Sequence, residues 1–440
     1  MKKRELLIYR ETENRELLDD MVWLMEHCGG GEAGRSLQTA GEREKNRSLL
    51  YSCMHRLLEM AGHYGFYGNL WHCYLADLLV NNENSYSLAC EMRGEVQGTV
   101  NRAVLHDIAI FKEWYNYDFR GVMDCLDAWE FELVLDYDSC ERESKVYNRR
   151  IGKRICDLTE QLRQDRSPEA MKATLTEFYK EYGVGKLGLH KAFRIVRDEH
   201  GVNMVPILNM AHVCLDDLVG YEIPKKKLVE NTEAFVEGRR ANNCLLFGDA
   251  GTGKSSSMKA IANMYYDKGL RMIEVYKHQF RDLNDVIGQI KNRNYKFIIY
   301  MDDLSFEEFE TEYKYLKAVI EGGLEKKPEN VLIYATSNRR HLVKETFADK
   351  EGRRDQLHAS DTVQEKLSLA SRFGVTIFFC APDKRQFQEI VSVLAERNGI
   401  EMPEEELLAE ANQWELYHGG LSGRTAQQFI DYLSGLGKQG

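Results

Sequence analysis

The sequence predicts an α/β protein with a parallel β-sheet between helices, a mainly helical N-terminal domain and a small C-terminal helical lid. Two observations support this prediction. From about residue 206, short apolar runs alternate with segments of helical periodicity, which indicates repeated β-α units and a sheet buried on both faces. Before residue 205, apolar residues recur at spacings of three and four, as in helices. The predicted domains are residues 1–205, 206–382 and 383–440.

The composition restricts the class of protein. The chain has 440 residues and is 43% hydrophobic, which is enough for ordinary cores. A formal net charge of −11 argues against a protein that coats nucleic acid on its own, and no apolar run approaches the length of a membrane span. The apolar run after the basic N-terminus is too short for a signal-peptide core. Ten cysteines without a Cys-x-x-Cys pair are typical of buried thiols in a reducing cytosol, so we expect a cytoplasmic protein.

The N-terminal domain gives no signal for a particular activity. Helix breaks are predicted at residues 29–31, 81–84 and 167–168, and a short strand at residues 131–135. The four tryptophans of this half are expected to pack in its core. A glycine pair before Lys186 lacks the spacing of a phosphate-binding loop.

The following region alternates between strands and helices. Strands are predicted at residues 244–247, 271–275, 297–301, 331–336 and 375–379. A helix is predicted from Ser256 to Lys268, with Gly269 as its C-cap. After Pro382 the strands stop, and three helices are predicted, the second beginning at Pro403 and the third at Ser422.

A glycine-rich stretch lies between the first of these strands and its helix. Residues 248–255 read Gly-Asp-Ala-Gly-Thr-Gly-Lys-Ser, the Walker A pattern in its strand–loop–helix context. Glycines let successive backbone N–H groups point inward, and with the helix N-terminus they form a cage for phosphate. Lys254 is expected to reach the β- and γ-phosphates and Ser255 to hold Mg²⁺. The predicted nucleotide ligands in this stretch are Gly248, Asp249, Ala250, Gly251, Thr252, Gly253, Lys254, Ser255 and Ser256.

Two aspartates follow the strand at residues 297–301, as in a Walker B element. A carboxylate at the carboxyl edge of the neighbouring strand reaches the Mg²⁺ that Ser255 holds. We therefore assign Asp302, with Ser255, to the metal, and Asp303 to orienting or deprotonating the attacking water. The alternative is that both aspartates only end a strand in solvent.

Three further side chains are candidates for contact with the γ-phosphate. Asn338 follows the strand at residues 331–336 and is placed to hydrogen-bond the γ-phosphate or the lytic water. Arg372 precedes the last strand and is expected to point at the γ-phosphate of a neighbouring subunit. Arg424 begins a helix of the C-terminal domain and is expected to contact the γ-phosphate from a mobile lid. A loop asparagine, an ordinary salt bridge and a solvent-exposed helix start are the respective alternatives.

A short apolar loop precedes the first α/β strand. Val219 and Gly220 lie in the sequence Leu-Val-Gly-Tyr of residues 218–221, and we expect this loop to pack on adenine. Taken alone, the signal is weak. The lysines at residues 225–227 that follow are expected to be solvated.

In this order, the motifs resemble those of the AAA+ ATPase superfamily. The resemblance identifies residues 218–221 with the adenine-side box, residues 248–255 with Walker A and residues 298–303 with Walker B. It also assigns roles to three single residues, namely the first sensor to Asn338, the arginine finger to Arg372 and the second sensor to Arg424. The fuller strings are similar to a bacterial group of predicted AAA+ ATPases with a domain-of-unknown-function label. The resemblance spans about residues 205–440 and implies ATP and Mg²⁺ as ligands and a homo-oligomer with the finger acting in trans.

One departure from the superfamily concerns the catalytic carboxylate. The superfamily usually has Glu where Asp303 stands, and the shorter side chain loses about 1 Å of reach, a displacement that can cost about 10²-fold in rate. Glu307 and Glu308 are weaker substitutes. Some helicase loaders and transposon helper ATPases are similar in having paired aspartates here. Either the loop compensates for the shorter side chain, or hydrolysis is slow.

Three functions follow from these motifs. The first is an ATPase that couples ATP binding and hydrolysis to a conformational change of itself or of a protein partner. The second is a nucleotide-dependent switch or loader whose hydrolysis is slow. A small-molecule P-loop kinase is the third, and the C-terminal helical domain with Arg424 argues against it. Net acidity favours protein over nucleic acid as the partner.

Overall fold

The chain forms two compact units, Met1–His190 and Lys191–Gly440. The computed structural model describes residues 5–11, 15–30, 38–138, 149–199, 201–208, 210–306, 312–321, 328–338 and 369–436. Each unit has its own hydrophobic core, and the C-terminal helices of the second unit add a separate one. The sequence predicts that the N-terminal domain ends at residue 205, whereas the first compact unit ends at His190.

The described part of the first unit is helical. Its helices are α1 (Arg15–Cys28), α2 (Ala40–Tyr64), α3 (Leu70–Asn81), α4 (Ser85–Arg93), α5 (Thr99–Tyr115), α6 (Arg120–Leu126), α7 (Glu132–Leu135), α8 (Arg149–Gln164), α9 (Pro168–Tyr182) and α10 (Gly185–Leu189). Two of the predicted breaks are confirmed by caps. The Asn84 side chain accepts hydrogen bonds from the first turn of α4, and Ser167 caps α9 with Pro168 in its first turn.

The predicted strand at residues 131–135 is wrong. A short 3₁₀ helix, Trp129–Phe131, leads directly into α7. Phe131 and Val134 are buried while Glu132 and Leu133 are exposed. This is the i, i+3 spacing of a helix that packs on a core, and the β-branched and aromatic composition concealed it.

The core of the first unit contains only half of its tryptophans. Trp71 and Trp114 are fully buried, and the Trp71 indole N–H donates to the Trp114 carbonyl oxygen. Trp23 and Trp129 are 39% and 47% exposed, so the expectation that all four are core residues is wrong for these two. Nine cysteines are described across both units; all are free thiols and seven are buried. None of the described helices is both long and apolar enough to span a membrane.

The second unit is built on a seven-stranded sheet. The strands are β1 (Ala192–Asp198), β2 (Gly201–Pro206), β3 (Cys244–Gly248), β4 (Leu270–Glu274), β5 (Lys296–Met301), β6 (Val331–Ser337) and β7 (Val375–Phe379), in the spatial order β2-β1-β4-β5-β6-β3-β7. Only β1 and β2 pair antiparallel; the other neighbours are parallel. The five strands predicted between residues 244 and 379 are confirmed within one residue at each end.

The β1–β2 hairpin was not predicted, because its residues were assigned to the helical region. Its burial alternates only over Phe193–Val196, after which Arg197 and Asp198 are both exposed. The strand is fixed by tertiary pairing, with Ala192 opposite Met272 of β4. The hairpin could not be predicted from local periodicity, because its place at the sheet edge depends on a long-range pairing.

The order of the strands differs from the sequence expectation at one point. Strand β5, which ends at the paired aspartates, is not the neighbour of β3, because β6 lies between them. Parallel registers place Met301 opposite Ala335 and Ser337 opposite Phe247, so all three strands end at one edge of the sheet. The residues that follow these strands therefore meet although β3 and β5 do not pair.

The helices of the second unit include those predicted. They are α11 (Glu222–Val236), α12 (Lys254–Tyr265), α13 (Leu283–Ile290), α14 (Glu312–Glu321) and, in the lid, α15 (Lys384–Arg397), α16 (Glu404–Tyr417) and α17 (Gly423–Gly435). Gly269 ends the α12 segment with φ 87°, as its C-cap role requires. The Ser422 side chain accepts the backbone N–H of Thr425 and caps α17. Around Phe387 and Phe429 the three lid helices enclose their own core.

Candidate functional site

The glycine-rich loop fits closely between β3, β7 and the loop before α11. Its glycines Gly248, Gly251 and Gly253 have φ values of 136°, 76° and 87°, which side chains rarely adopt. A Cβ at position 248 would lie 1.9 Å from the Phe379 carbonyl oxygen, and one at position 253 would lie 2.2 Å from Leu218 Cδ2. Glycine is therefore required here by close approach as well as by backbone conformation.

Lys254 begins α12 and is buried at the base of this loop. Its ammonium donates to the carbonyl oxygens of Gly248 and Asp249 at 2.9 and 2.6 Å. Burial lowers the pKa of Lys254, and the nearby carboxylates of Asp249, Asp303 and Asp302 oppose that shift. The Asp249 carboxylate accepts the Ala381 backbone N–H at 2.8 Å, which ties the loop to the end of β7. A buried cation is thus held where the loop turns.

Asp302 is the best-connected carboxylate of the site. Its Oδ1 accepts hydrogen bonds from Ser255 Oγ at 2.8 Å, Tyr300 OH at 2.7 Å and Thr336 Oγ1 at 2.5 Å. Burial raises the pKa of Asp302, but the hydrogen bonds from Thr336, Tyr300 and Ser255 together bring it below its usual value. The carboxylate is therefore held ionised, next to the first hydroxyl of α12.

Asp303 has different surroundings. It has φ 48°, the left-handed region, and its side chain is exposed. Its backbone N–H donates to Thr336 Oγ1 at 2.9 Å, and its Oδ1 accepts the Asn338 side-chain amide at 2.8 Å. The left-handed turn separates the two neighbouring carboxylates, one facing Ser255 and the other Asn338.

These residues line one cavity of about 630 Å³ in the second unit, a size that suits a nucleotide. The cavity brings together the following predicted site residues: Val219, Ala250, Gly251, Thr252, Gly253, Lys254, Ser255, Ser256, Asp302, Asp303, Asn338 and Arg424. Gly220, Gly248 and Asp249 are predicted residues that do not line it. Gly248 and Asp249 act through their carbonyl oxygens on Lys254.

Part of the cavity wall is apolar. Val219 and Tyr221 come from the loop before α11, and Ile390 and Leu394 come from lid helix α15. The Tyr221 hydroxyl donates to the Cys380 carbonyl oxygen at 3.2 Å, and burial raises the pKa of Tyr221 to about 12. The four side chains form an apolar slot between core and lid.

The lysine triplet after this loop is not uniformly solvated, contrary to expectation. The Lys225 side chain is 12% exposed, and its Nζ donates to the Leu218 carbonyl oxygen at 2.8 Å. Lys226 and Lys227 are exposed, as expected. Lys225 therefore fixes the backbone of the apolar loop.

The two candidate arginines lie in different places. Arg424 lines the cavity from the first turn of α17, and its backbone N–H donates to the Gly251 carbonyl oxygen at 3.3 Å. Arg372 lies outside the cavity lining and forms an ion pair with Glu321 at the end of α14. Its Nε is buried and has no hydrogen-bond partner among the residues that the structure describes.

Sequence reasoning missed several residues that shape this site. Thr336, the most connected of them, contacts both aspartates, and it stands two positions before Asn338 on the same side of β6. Tyr300 stands two positions before Asp302 in the same way. The period of two along each strand was a usable signal, since Asn338 and Asp302 were already assigned to the site. Gln427 and Gln428 line the cavity from α17, and only tertiary packing places them there.

The donor set fits Mg²⁺ bound together with a nucleotide. Ser255 and Asp302 offer two oxygen atoms 2.8 Å apart at the opening of the glycine loop. Mg²⁺ is usually held by one or two protein oxygens together with phosphates and waters. In the described ranges, no three His, Cys, Asp or Glu side chains gather to hold a metal by themselves. The loop leads into the N-terminus of α12, where free backbone N–H groups favour a phosphate.

The sheet order, the glycine loop after β3 and the lid define an AAA+ P-loop domain, a nucleotide-binding fold, preceded by a helical unit. The model of the family described as "Protein of unknown function (DUF815)" matches residues 188–437, which is more than half of the chain. The chain belongs to that family. The match begins within the first unit's last residues and includes the whole sheet.

Solved structures similar to this chain include two of RuvB from Thermotoga maritima. The match to a RuvB variant covers 50% of this chain and 72% of the RuvB chain, with 15% sequence identity and a TM-score of 0.33. The structure titled RuvB Holliday junction branch migration motor is 15% identical with a TM-score of 0.32 and the same coverage. No curated protein matches the chain.

Proposed function

We propose that this chain binds ATP with Mg²⁺, hydrolyses it to ADP and phosphate, and uses the cycle to change its own conformation or that of a protein partner. One observation supports this most strongly. The Ser255 hydroxyl after the glycine loop and the Asp302 carboxylate after β5 meet at 2.8 Å, although their strands do not pair. Such a convergence of a helix-start hydroxyl and a strand-end carboxylate is what a metal-bound triphosphate requires.

Binding is assigned to the glycine loop and its helix. The backbone N–H groups of residues 250–255 surround the phosphates, and Lys254 neutralises charge on the β- and γ-phosphates. Ser255 and Asp302 hold the metal, which supplies neutralisation of phosphate charge. The apolar slot beside Val219 takes the base.

The hydrolytic step is assigned to Asp303 and Asn338. Water attacks the γ-phosphorus while the bond from that phosphorus to the ADP oxygen breaks. Asp303 orients the water and accepts its proton, and Asn338 holds the carboxylate through the 2.8 Å hydrogen bond. The exposed position of Asp303 at the cavity wall supports this role.

Two arginines complete the proposal. Arg424, on the lid and next to Gly251 of the loop, contacts the γ-phosphate and converts nucleotide state into lid position. Arg372 acts on a neighbouring subunit of a homo-oligomer and is held by Glu321 until it does so. Its position outside its own cavity supports action in trans rather than in cis.

A nucleotide-dependent switch with slow hydrolysis is the second candidate. The observation that favours it is the short Asp303 side chain, whose Oδ1 is already engaged by Asn338. Glu307 and Glu308, considered as substitutes, lie outside the described residues. The two candidates share one binding site and differ in turnover.

The experiment is a steady-state ATPase assay of the full chain beside Asp303→Asn, with nucleotide affinity measured for both. Asn preserves the shape and the oxygen that faces Asn338 but cannot accept a proton. We expect affinity within about threefold of wild type and kcat lower by about 10²–10⁴-fold. Equal kcat would remove Asp303 from catalysis, and slow wild-type turnover with tight binding would favour the switch.

Running the wild type over a range of protein concentrations tests Arg372, because a finger in trans makes specific activity rise with concentration.

A further inference from the structure

Thr336 joins the two aspartates of the site through a single hydroxyl. It lies near the end of β6 and is 1% exposed. Its Oγ1 donates to Asp302 Oδ1 at 2.5 Å and accepts the Asp303 backbone N–H at 2.9 Å. Its backbone carbonyl oxygen accepts the Leu304 N–H at 2.7 Å. One residue therefore contacts three consecutive positions of the neighbouring strand end.

The hydrogen bonds of Thr336 offset two free-energy costs at the end of β5. Asp303 occupies the left-handed region at φ 48°, which is unfavourable for a residue with a Cβ and persists only where the surroundings fix it. A hydrogen bond to the Asp303 N–H supplies that constraint. Holding the exposed Asp302 side chain in one rotamer also costs conformational entropy, which donors to its carboxylate offset. The same hydroxyl is one of those donors.

The Thr336 hydroxyl is not explained by the packing of β6. The five preceding residues of the strand, Val331–Ala335 in the printed sequence, are apolar except for the Tyr334 hydroxyl, and every residue of the strand is buried. A valine has nearly the same shape and an equal preference for a strand. A threonine here adds only a hydroxyl, and both hydrogen bonds of that hydroxyl go to the aspartate pair.

We propose that Thr336 is a positioning residue that orients the Asp302 carboxylate toward Mg²⁺ and fixes the backbone turn at Asp303. As a result, one carboxylate binds the metal and the other contacts the lytic water. This inference rests on the proposed function of the same site. Thr336 lines the cavity, but both hydrogen bonds of its hydroxyl go to the aspartates, so it acts through them. Partners that orient metal ligands in this way typically contribute about 10–100-fold to metal affinity or activity.

The test separates metal affinity from nucleotide affinity in the full chain. Dissociation constants of a non-hydrolysable ATP analogue are measured in EDTA and at saturating Mg²⁺. The constant in EDTA divided by the constant at saturating Mg²⁺, called the Mg²⁺ ratio, reports the metal's contribution to affinity. Thr336→Val should lower this ratio by about tenfold or more while the constant in EDTA stays within about twofold of wild type. Thr336→Ser, which restores the hydroxyl, should return the ratio to within about threefold of wild type.

Tyr300→Phe is the matched control, because it removes a different hydroxyl from Asp302 Oδ1 and leaves the Asp303 N–H bonded. Both variants should lower the Mg²⁺ ratio, and Thr336→Val should lower kcat at saturating Mg²⁺ further than Tyr300→Phe, because only Thr336→Val removes the acceptor of the Asp303 N–H. A wild-type ratio for Thr336→Val, or a serine variant as impaired as the valine variant, would overturn the inference alone. If Thr336→Val loses as much affinity for the analogue in EDTA as at saturating Mg²⁺, the substitution causes a general packing defect, and that result would also overturn the inference. A wild-type chain that binds no analogue would overturn the proposed function as well.

Discussion

At the scale of single residues, the adjacent aspartates owe their different roles to one backbone torsion. Asp302 follows β5 with its carboxylate among the hydroxyls of Ser255, Tyr300 and Thr336. Asp303 then turns into the left-handed region, which directs its carboxylate to Asn338 instead. Two like charges are thereby separated, and each has its own donors. The chemistry proposed for the site depends on this separation.

The burial of His72 makes the free energy of unfolding depend on pH. It is buried in the first unit, where its Nε2–H donates to the Tyr115 carbonyl oxygen at 2.8 Å. Its Nδ1 has no hydrogen-bond partner within the described residues. Burial lowers the pKa of His72 to about 4, and the charges of Arg163 and Lys112 act in the same direction. The folded chain therefore keeps this imidazole neutral.

The sign of the effect follows from proton linkage. Between pH 6.5 and about 4 the unfolded chain binds a proton at His72 that the folded chain does not. This contribution to stability is complete above pH 6.5 and is lost as the pH falls toward 4. We expect His72→Gln, which keeps a donor for Tyr115, to flatten the pH dependence of the free energy of unfolding by up to about 3 kcal/mol.

Urea unfolding at pH 7 and pH 4.5 checks the His72 prediction. Tryptophan fluorescence is a suitable probe because four of the five tryptophans lie in the first unit. The difference between variant and wild type removes the contribution of other titrating groups. An identical pH dependence of the two chains would show that His72 does not hold the neutral state.

At the scale of elements, the glycine loop is held by the end of β7 and by the start of α17. Asp249 and Phe379 connect it to the end of β7, since the Asp249 N–H donates to the Phe379 carbonyl oxygen at 3.1 Å. Ser422 and Arg424, at the start of α17, contact it near Gly251. The loop therefore contacts both sheet and lid, which is the connection that the proposed coupling of nucleotide state to lid position requires.

A second contact joins the lid to the core. Arg397, the last residue of α15, donates to the carbonyl oxygens of Asp216 and Asp217 at 2.7 and 3.1 Å. Asp217 and Leu394 both line the cavity. The lid helices thus contact the core through α15 as well as through α17.

The fit of the loop predicts a large cost for a single methyl group. Gly248→Ala would place a Cβ 1.9 Å from the Phe379 carbonyl oxygen, so strand β7 or the loop must move. Gly269→Ala is the matched control, because Gly269 also has positive φ but no atom within 4 Å of the added Cβ. We expect Gly248→Ala to destabilise by more than about 3 kcal/mol and Gly269→Ala by about 1–2 kcal/mol. Chemical denaturation of the two variants checks this, and equal losses would contradict the contact.

Local pattern was sufficient for some elements and insufficient for others. Strands β3 to β7 were predictable because they are mostly apolar, and β3, β5 and β6 are buried almost throughout, as parallel strands inside a sheet are. The β1–β2 hairpin was not, since its pairing with β4 has no local signature. The insertion of β6 between β3 and β5 is likewise a property of the topology. Within the site, Lys254 and Asp302 follow from motif, whereas Thr336 becomes visible only when strand ends are brought together.

At the scale of the whole molecule, a helical unit precedes an AAA+ domain that carries the whole candidate site. The described lining of the cavity comes from residues 213–428, all in the second unit. The family match covers the same region. A proposed homo-oligomer with Arg372 acting in trans would add the one catalytic group that the cavity lacks in its own lining.

Calorimetric titration of the full chain with ATP and Mg²⁺ tests the central claim most directly, with Lys254→Ala and Lys259→Ala beside the wild type. Both lysines lie on α12, but Lys254 is buried at the loop and Lys259 is exposed. We predict binding by the wild type, equal binding by Lys259→Ala, and affinity at least about tenfold weaker for Lys254→Ala. An absence of heat with the wild type, or a Lys254→Ala chain that binds as the wild type does, would contradict the account.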